Sequence, residues 1–265
     1  MNLCSIASGS SGNCIYVGNQ NTHILVDVGI SGKRVEAGLN QINIDPAGLN
    51  GIVITHEHSD HISGLGVIAR RYKVPIYATV ETMNAILHTK SVGKIDESFI
   101  QIIQPDQSFM IQDVMVNPYS ISHDASNPVC YTFIHDDKKV GVATDLGTYD
   151  DYLIKSLKGC EILLLEANHD IHMLQVGSYP YVLKRRILGD LGHLSNDNSG
   201  RLLLEIFHDK MKHVVLGHLS KENNYPELAY ETVKYEIMKE NPEILEKCEL
   251  TVANRDVPSA FLSCS

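Results

Sequence analysis

Two rhythms of apolar and polar positions divide the chain. Short apolar runs rich in β-branched residues predict strands, and longer stretches with apolar side chains every three or four positions predict helices. Leu3 to Ala7 and Cys14 to Val17 read as strands around the turn Ser8-Gly9-Ser10-Ser11-Gly12-Asn13. That turn fits either a plain hairpin or a loop whose backbone N–H groups cradle a phosphate. His23 to Val28 predicts a third strand, after which Ser31 caps a helix through Leu39. Gly51 to Ile54 is a buried strand, followed by helical spacing at Ile62, Leu65, Ile68 and Ala69. Val74 to Ala78 and the helical stretch Glu81 to Thr89 form another strand–helix unit, with His88 on the surface. Phe99 to Tyr119 predicts several short antiparallel strands.

The second half repeats the scheme. Val129 to Ile134 and Lys138 to Ala143 predict a hairpin around His135-Asp136-Asp137, and Glu161 to Leu165 a buried strand. Tyr181 to Leu188 should be helical. Asn196 or Asp197 should cap a helix with Leu202, Leu203, Ile206 and Phe207 on one face. His213 to Leu216 is the next strand, and Pro226 opens a helix from Glu227 to Lys239. Leu250 to Ala253 and Ala260 to Leu262 predict closing strands. Two similar halves without a linker imply an α+β fold: residues 1–265 as one domain, a four-layer αββα sandwich.

Composition narrows the picture. A formal net charge of −10 argues against broad non-specific binding to DNA or to a membrane. It does not exclude nucleic acid, because bound cations place positive charge inside a site. No basic, apolar export signal stands at the N-terminus and no run is long enough to span a bilayer, so a cytoplasmic location is expected. The 6 scattered cysteines read as reduced thiols. The 13 histidines are the unusual feature, and several follow apolar runs.

The densest chemistry is Thr55-His56-Glu57-His58-Ser59-Asp60-His61, on the turn between a strand end and a helix start, where open α/β sheets place their sites. His56 and His58, two apart, point the same way in an extended turn. Imidazoles and carboxylates together suit zinc, manganese or iron better than calcium or magnesium. His123, Asp145 and His218 also stand just past apolar runs. Asp27, at another strand end, is placed to accept a hydrogen bond from a metal-binding histidine.

The His-x-His-x-Asp-His stretch resembles the signature of the metallo-β-lactamase superfamily. The resemblance implies that His56, His58 and His123 hold one metal, that Asp60, His61 and His218 hold a second, and that Asp145 bridges them. Two divalent ions (Zn or Mn, with Fe also suited) would depress the pKa of a bridging water and make metal-assisted hydrolysis the expected reaction, with Asp60 at its centre. An aspartate, not a cysteine, at the bridging position separates the chain from the best-known β-lactamases.

Ala7 to Cys14, Ile121 to Asp124, Ala143 to Asp145, Leu183 to Ser195 and Gly217 to Asn224 further resemble the YycJ/WalJ/VicX branch, across nearly the whole length to about Val233. That branch implies a bacterial, cytoplasmic 5′-to-3′ exonuclease acting on DNA ends. Glu166 would orient His193, and His193 would contact the scissile phosphate or protonate the leaving oxygen. His169 stands as a possible substrate contact. The stretch from Asp145 to His218 is too short for an inserted nucleic-acid-clamping domain, which leaves Lys184, Arg185 and Arg186, then Arg70, Arg71 and Lys73, as the basic substrate candidates. Two other readings remain open: a thioester hydrolase of the glyoxalase II kind, and a non-catalytic metal-binding regulator. Oligomeric state is not readable from the chain.

Overall fold

A computed structural model describes the whole chain, Met1–Ser265. The first half runs through β1 (Asn2–Ala7), β2 (Cys14–Gly18), β3 (His23–Val26), α1 (Gly32–Gln41), β4 (Gly51–Val53), α2 (Ser59–Ile62), α3 (Leu65–Tyr72), β5 (Ile76–Thr79), α4 (Val80–His88) and β6 (Ile100–Ile103). The second half continues with β7 (Phe109–Ile111), β8 (Val114–Ser120), β9 (Val129–His135), β10 (Lys138–Ala143), α5 (Asp151–Leu157) and β11 (Ile162–Glu166). It ends with α6 (Ile171–Val176), α7 (Tyr181–Leu188), α8 (Asn196–Ile206), β12 (His213–Gly217), α9 (Pro226–Glu240), α10 (Ile244–Lys247), β13 (Glu249–Val252) and β14 (Leu262–Ser263).

Period-two alternation builds the layers. Along β2, Cys14 and Tyr16 pack toward α1 and α3, while Ile15 and Val17 face the other sheet. Along β11, Leu163 and Leu165 pack toward α8 and α9, while Ile162 and Leu164 point inward. Three apolar interfaces result: helix on sheet, sheet on sheet, sheet on helix. The αββα sandwich expected from the two halves is the fold observed.

Each sheet has seven strands, ordered β14-β1-β2-β3-β4-β5-β6 and β13-β12-β11-β10-β9-β8-β7. Pairing is antiparallel from β14 to β3 and parallel from β3 to β6. In the second sheet it is antiparallel from β7 to β10 and parallel from there to β13. The two sheets thus repeat one plan, and the carboxyl ends of their parallel strands meet at one rim. Asp27, the His56–His61 turn, Asp145, Glu166 and His218 follow the ends of β3, β4, β10, β11 and β12.

Four local expectations are corrected. Phe99 to Tyr119 is not one antiparallel block: β6 pairs parallel with β5, and the chain then crosses to the second sheet for β7 and β8. Local alternation reports faces, not partners, so it could not reveal that crossing. The cap of α8 is Ser195, whose hydroxyl accepts from Asn198 N, one residue before the expected position. The short helices α5 and α6 were not anticipated, because so few residues cannot display a helical period. The closing strand β14 pairs Leu262 with Leu3 and Ser263 with Asn2, later than Ala260 to Leu262 suggested. No helix is long and apolar enough to cross a membrane.

Candidate metal centre

Seven side chains, four from the His56–His61 turn and three from His123, Asp145 and His218 far along the chain, converge at the rim. Ligand-type atoms of His56, His58 and His123 lie within 4.8 Å of one another, as do those of Asp60, His61 and His218, and of His56, His61 and Asp145. The backbone is bent to achieve this. Asp27, Asp145 and His218 adopt left-handed φ values of 60°, 61° and 55°, turning the chain sharply as it leaves the strands. Gly29 permits the closest approach: a Cβ there would stand 1.6 Å from Asp60 O.

Hydrogen bonding sets the histidine tautomers. Asp27 Oδ2 accepts from Thr55 Oγ1 at 2.8 Å and from His61 Nδ1 at 2.7 Å. With its proton given to Asp27, the Thr55 hydroxyl accepts from His56 Nδ1 at 3.0 Å. Gly192 O accepts from His123 Nδ1 at 3.0 Å, and Glu166 Oε1 accepts from His218 Nδ1 at 2.8 Å. In neutral form all four rings therefore turn an Nε2 lone pair into the centre. His58 instead presents Nδ1, 3.3 Å from His123 Nε2.

The donors fit divalent cations. His56 Nε2 and Asp145 Oδ2 are buried without a hydrogen-bond partner, an arrangement that is costly unless a cation meets them. Asp145 Oδ2 lies 3.3 Å from His61 Nε2, and Oδ1 lies 3.5 Å from His218 Nδ1 and 3.7 Å from His123 Nε2, so the carboxylate stands between the two histidine groups. Burial opposes the charge on Asp145, but His218, His61, His56 and His123 outweigh it and hold the carboxyl well below its usual range. Burial and the charge of His61 keep His56 neutral. Against burial, the carboxylates of Asp145, Asp60 and Glu166 push His218 up to about 10, and Asp145, Asp60 and Asp27 raise His61 well above its usual value. Without cations, protons on these two rings balance the buried carboxylates.

Beside this cluster stands a second unit. Glu166 is fully buried, and its Oε1 accepts from His193 Nδ1 at 2.8 Å as well as from His218. Its Oε2 accepts from Leu146 N at 2.7 Å and Leu194 N at 3.2 Å. Burial disfavours this carboxylate, but the charge and hydrogen bond of His193 hold it down at about 2. His193 is thereby fixed with Nε2 away from Glu166 and 19% of its side chain exposed.

Of the expected substrate contacts, Lys184 bonds carbonyls of its own chain and His169 is buried. Lys184 Nζ donates to Gln175 O at 2.8 Å and Gly177 O at 2.7 Å, closing the end of α6. His169 is only 1% exposed, and burial lowers its pKa to about 4. Both ring nitrogens of His169 are without a hydrogen-bond partner, and Lys184 keeps one N–H free. Arg186 pairs with Asp124, the neighbour of His123, and Arg185 stacks 6.0 Å from the centroid of the exposed Tyr181 ring. Arg70 donates to Val92 O and Lys94 O, and Arg71 pairs with Glu36; with Lys73 they stand at the end of α3 remote from Asp60.

Sequence reasoning missed several supports. Glu57, inside the motif, accepts from Ser126 N at 2.9 Å and Ser126 Oγ at 2.7 Å, pinning the loop that carries His123. Ser8 Oγ accepts from His218 N at 2.8 Å, and Asn13 Nδ2 lies 3.1 Å from His61 Nε2. Only the Ser/Gly turn signal marked the last two.

Similarity to known proteins agrees with this geometry. A family model described as a beta-lactamase superfamily domain matches residues 22–218. The chain is 42% identical to exodeoxyribonuclease YycJ of Bacillus anthracis over 84% of each chain. It is also 42% identical to exodeoxyribonuclease WalJ of Streptococcus pneumoniae, over 86% of this chain and 85% of that one. The crystal structure of Zn2+-bound PqqB from Methylobacterium extorquens superposes with a TM-score of 0.71 at 15% identity, covering 98% of this chain and all of the other, which speaks to the fold alone. Fold, clustered donors and an identity that spans most of both chains place this protein in the metallo-β-lactamase superfamily, in the family of YycJ and WalJ.

Proposed function

We propose that the chain is a binuclear-metal-dependent phosphodiesterase that removes nucleotides from DNA ends, working 5′ to 3′ on single strands in the cytoplasm. The observation that carries the reading is Glu166, one carboxylate oxygen of which accepts from His218 on the cation side and from His193 on the open side. A hydrolase that only activated water would have no use for the second contact. The exonuclease names of the YycJ and WalJ relatives support the same substrate. His56, His58 and His123 would hold one ion, Asp60, His61 and His218 the other, with Asp145 between them. Zinc or manganese suits this donor set, and iron does too. When bound, such ions supply an activated water and Lewis-acid stabilisation of phosphoryl oxygens.

The chain's own residues do the rest. Asp27 and Glu166 orient His61 and His218, and Thr55 orients His56. His193, held by Glu166, delivers a proton from Nε2 to the departing oxygen of the cleaved nucleotide or hydrogen-bonds its phosphate. Arg185 with Tyr181 offers a stacking face for an unpaired base.

The test is hydrolysis of 5′-end-labelled single-stranded DNA by purified protein with manganese or zinc. Chelator-sensitive release of mononucleotides is expected. Turnover of a thioester with no nucleotide release would instead favour the glyoxalase II-like reading, and metal content with neither activity the regulator.

A further inference from the structure

The Ser8–Asn13 turn is tied to both halves of the centre, by Ser8 to the backbone of His218 and by Asn13 to His61. Lying over it is Arg255, from the segment that follows β13. Its Nη2 donates to Leu219 O at 2.8 Å, and Nη1 donates to Ser11 Oγ at 3.4 Å. No carboxylate pairs with it, whereas the neighbouring Asp256 is taken by Arg34 at 3.0 Å. A guanidinium has five N–H groups, and two contacts leave others free.

The shape is specific. A Cβ on Gly9 would stand 2.5 Å from Arg255 Nη1 and 3.2 Å from Leu219 O, at a φ of +153° that side chains rarely adopt. Any other residue there would push the guanidinium off the turn. Ser10 and Ser11 are exposed beside it, with hydroxyls available as donors. Charge makes the position more telling. The chain carries a net charge of −10, and near the rim Arg186 pairs with Asp124 while Lys184 gives two of its three N–H groups to carbonyls. Both the turn and Arg255 lie outside residues 22–218, which the superfamily model matches.

We propose that Arg255 and the Ser10-Ser11 turn form a phosphate cradle that grips a phosphate of the nucleotide strand next to the one at the metal centre. This inference rests on the nuclease reading and adds to Arg185 a second cation without a carboxylate partner, placed at the turn that supports the centre. A planar guanidinium fits phosphate oxygens with paired hydrogen bonds, and serine hydroxyls add neutral donors.

Binding of a cleavage-resistant, 5′-phosphorylated oligothymidine to the metal-loaded protein, followed by fluorescence anisotropy across salt concentrations, tests it. R255A should weaken binding by about tenfold or more. It should also make the slope of log affinity against log salt shallower by about 0.7, the loss of one phosphate contact on a single strand. R255Q, which keeps a donor for Leu219 O, should show the same slope change, R255K should retain the wild-type slope, and G9A should behave like R255A. K247A, on a remote cation, should match the wild type. An unchanged slope in R255A and R255Q, the same change in K247A, or loss of bound metal in R255A would overturn the cradle. A wild-type protein that does not bind the strand would overturn it as well. Binding without cleavage of ordinary DNA would sink the nuclease reading alone.

Discussion

Asp27 and Asp145 occupy matching places in the two halves. Each follows the strand where antiparallel pairing gives way to parallel, each is 1% exposed, and each turns the backbone to a φ near +60°. Their uses diverge completely. Asp27 Oδ1 accepts from Thr55 N at 2.8 Å and Oδ2 accepts from the Thr55 hydroxyl and His61, so its lone pairs are committed to the protein. Asp145 keeps Oδ2 without a partner. One half of a repeated plan has been filled to orient a ring, and the other left open to take charge. In the second half the orienting task moves one strand along, to Glu166.

The contrast predicts a ranked series of effects. Largest is D145N, which keeps shape but removes the anion between the histidine groups. Nuclease turnover should fall by about 10³-fold or more, and elemental analysis should show less bound metal. H193A comes next, with turnover down by roughly 10² to 10⁴ at unchanged metal content. Loss of metal in H193A would mean that its role and that of His218 had been exchanged. D27N should cost about 10- to 100-fold in metal affinity, read by competition with a chelator, with turnover largely recovered in excess metal. If D27N were as damaging as D145N under saturating metal, the two aspartates would not differ in the way their hydrogen bonds imply.

Two smaller effects sharpen the same point. Saturating metal at about a thousand times its dissociation constant should add roughly 4 kcal/mol, raising the melting temperature by on the order of 10 °C. Metal uptake should also release protons. His218, raised to about 10, and His61, also raised, are protonated in the metal-free protein near neutral pH, but must be neutral to act as ligands. Calorimetry in buffers of different ionisation enthalpy should find about two protons released near pH 7.5, and affinity rising with pH. The sign for stability is the reverse. The contribution of His218 to the metal-free fold is complete below its unfolded pKa near 6.5 and is lost as pH rises toward about 10.

Much of this was readable in advance, for physical reasons that also set the limit. The His56–His61 turn announces itself because its spacing and its strand-end position act together. His123, Asp145 and His218 could be ordered because each follows an apolar run. Glu57 could not be read, because Ser126 comes close only when the two sheets close on each other, and Asn13 and Arg255 could not because Asp60 and Leu219, 47 and 36 residues away in the chain, are brought to them by strand pairing within one sheet. The contacts of Lys184 were hidden for a related reason: a basic helix face looks the same whether its ammonium meets solvent or the carbonyls closing a preceding helix.

The left-handed turns at Asp27, Asp145 and His218 carry a practical consequence. Each costs the relaxed chain roughly 1 kcal/mol, and all three serve the centre, Asp145 and His218 as expected ligands and Asp27 behind His61. A search for heat-tolerant variants, scored on folding alone, would be drawn to glycine at Asp145, whose Oδ2 has no partner, and not at Asp27, which has three buried hydrogen bonds to lose. Such a screen would be selecting, unknowingly, for an inert enzyme.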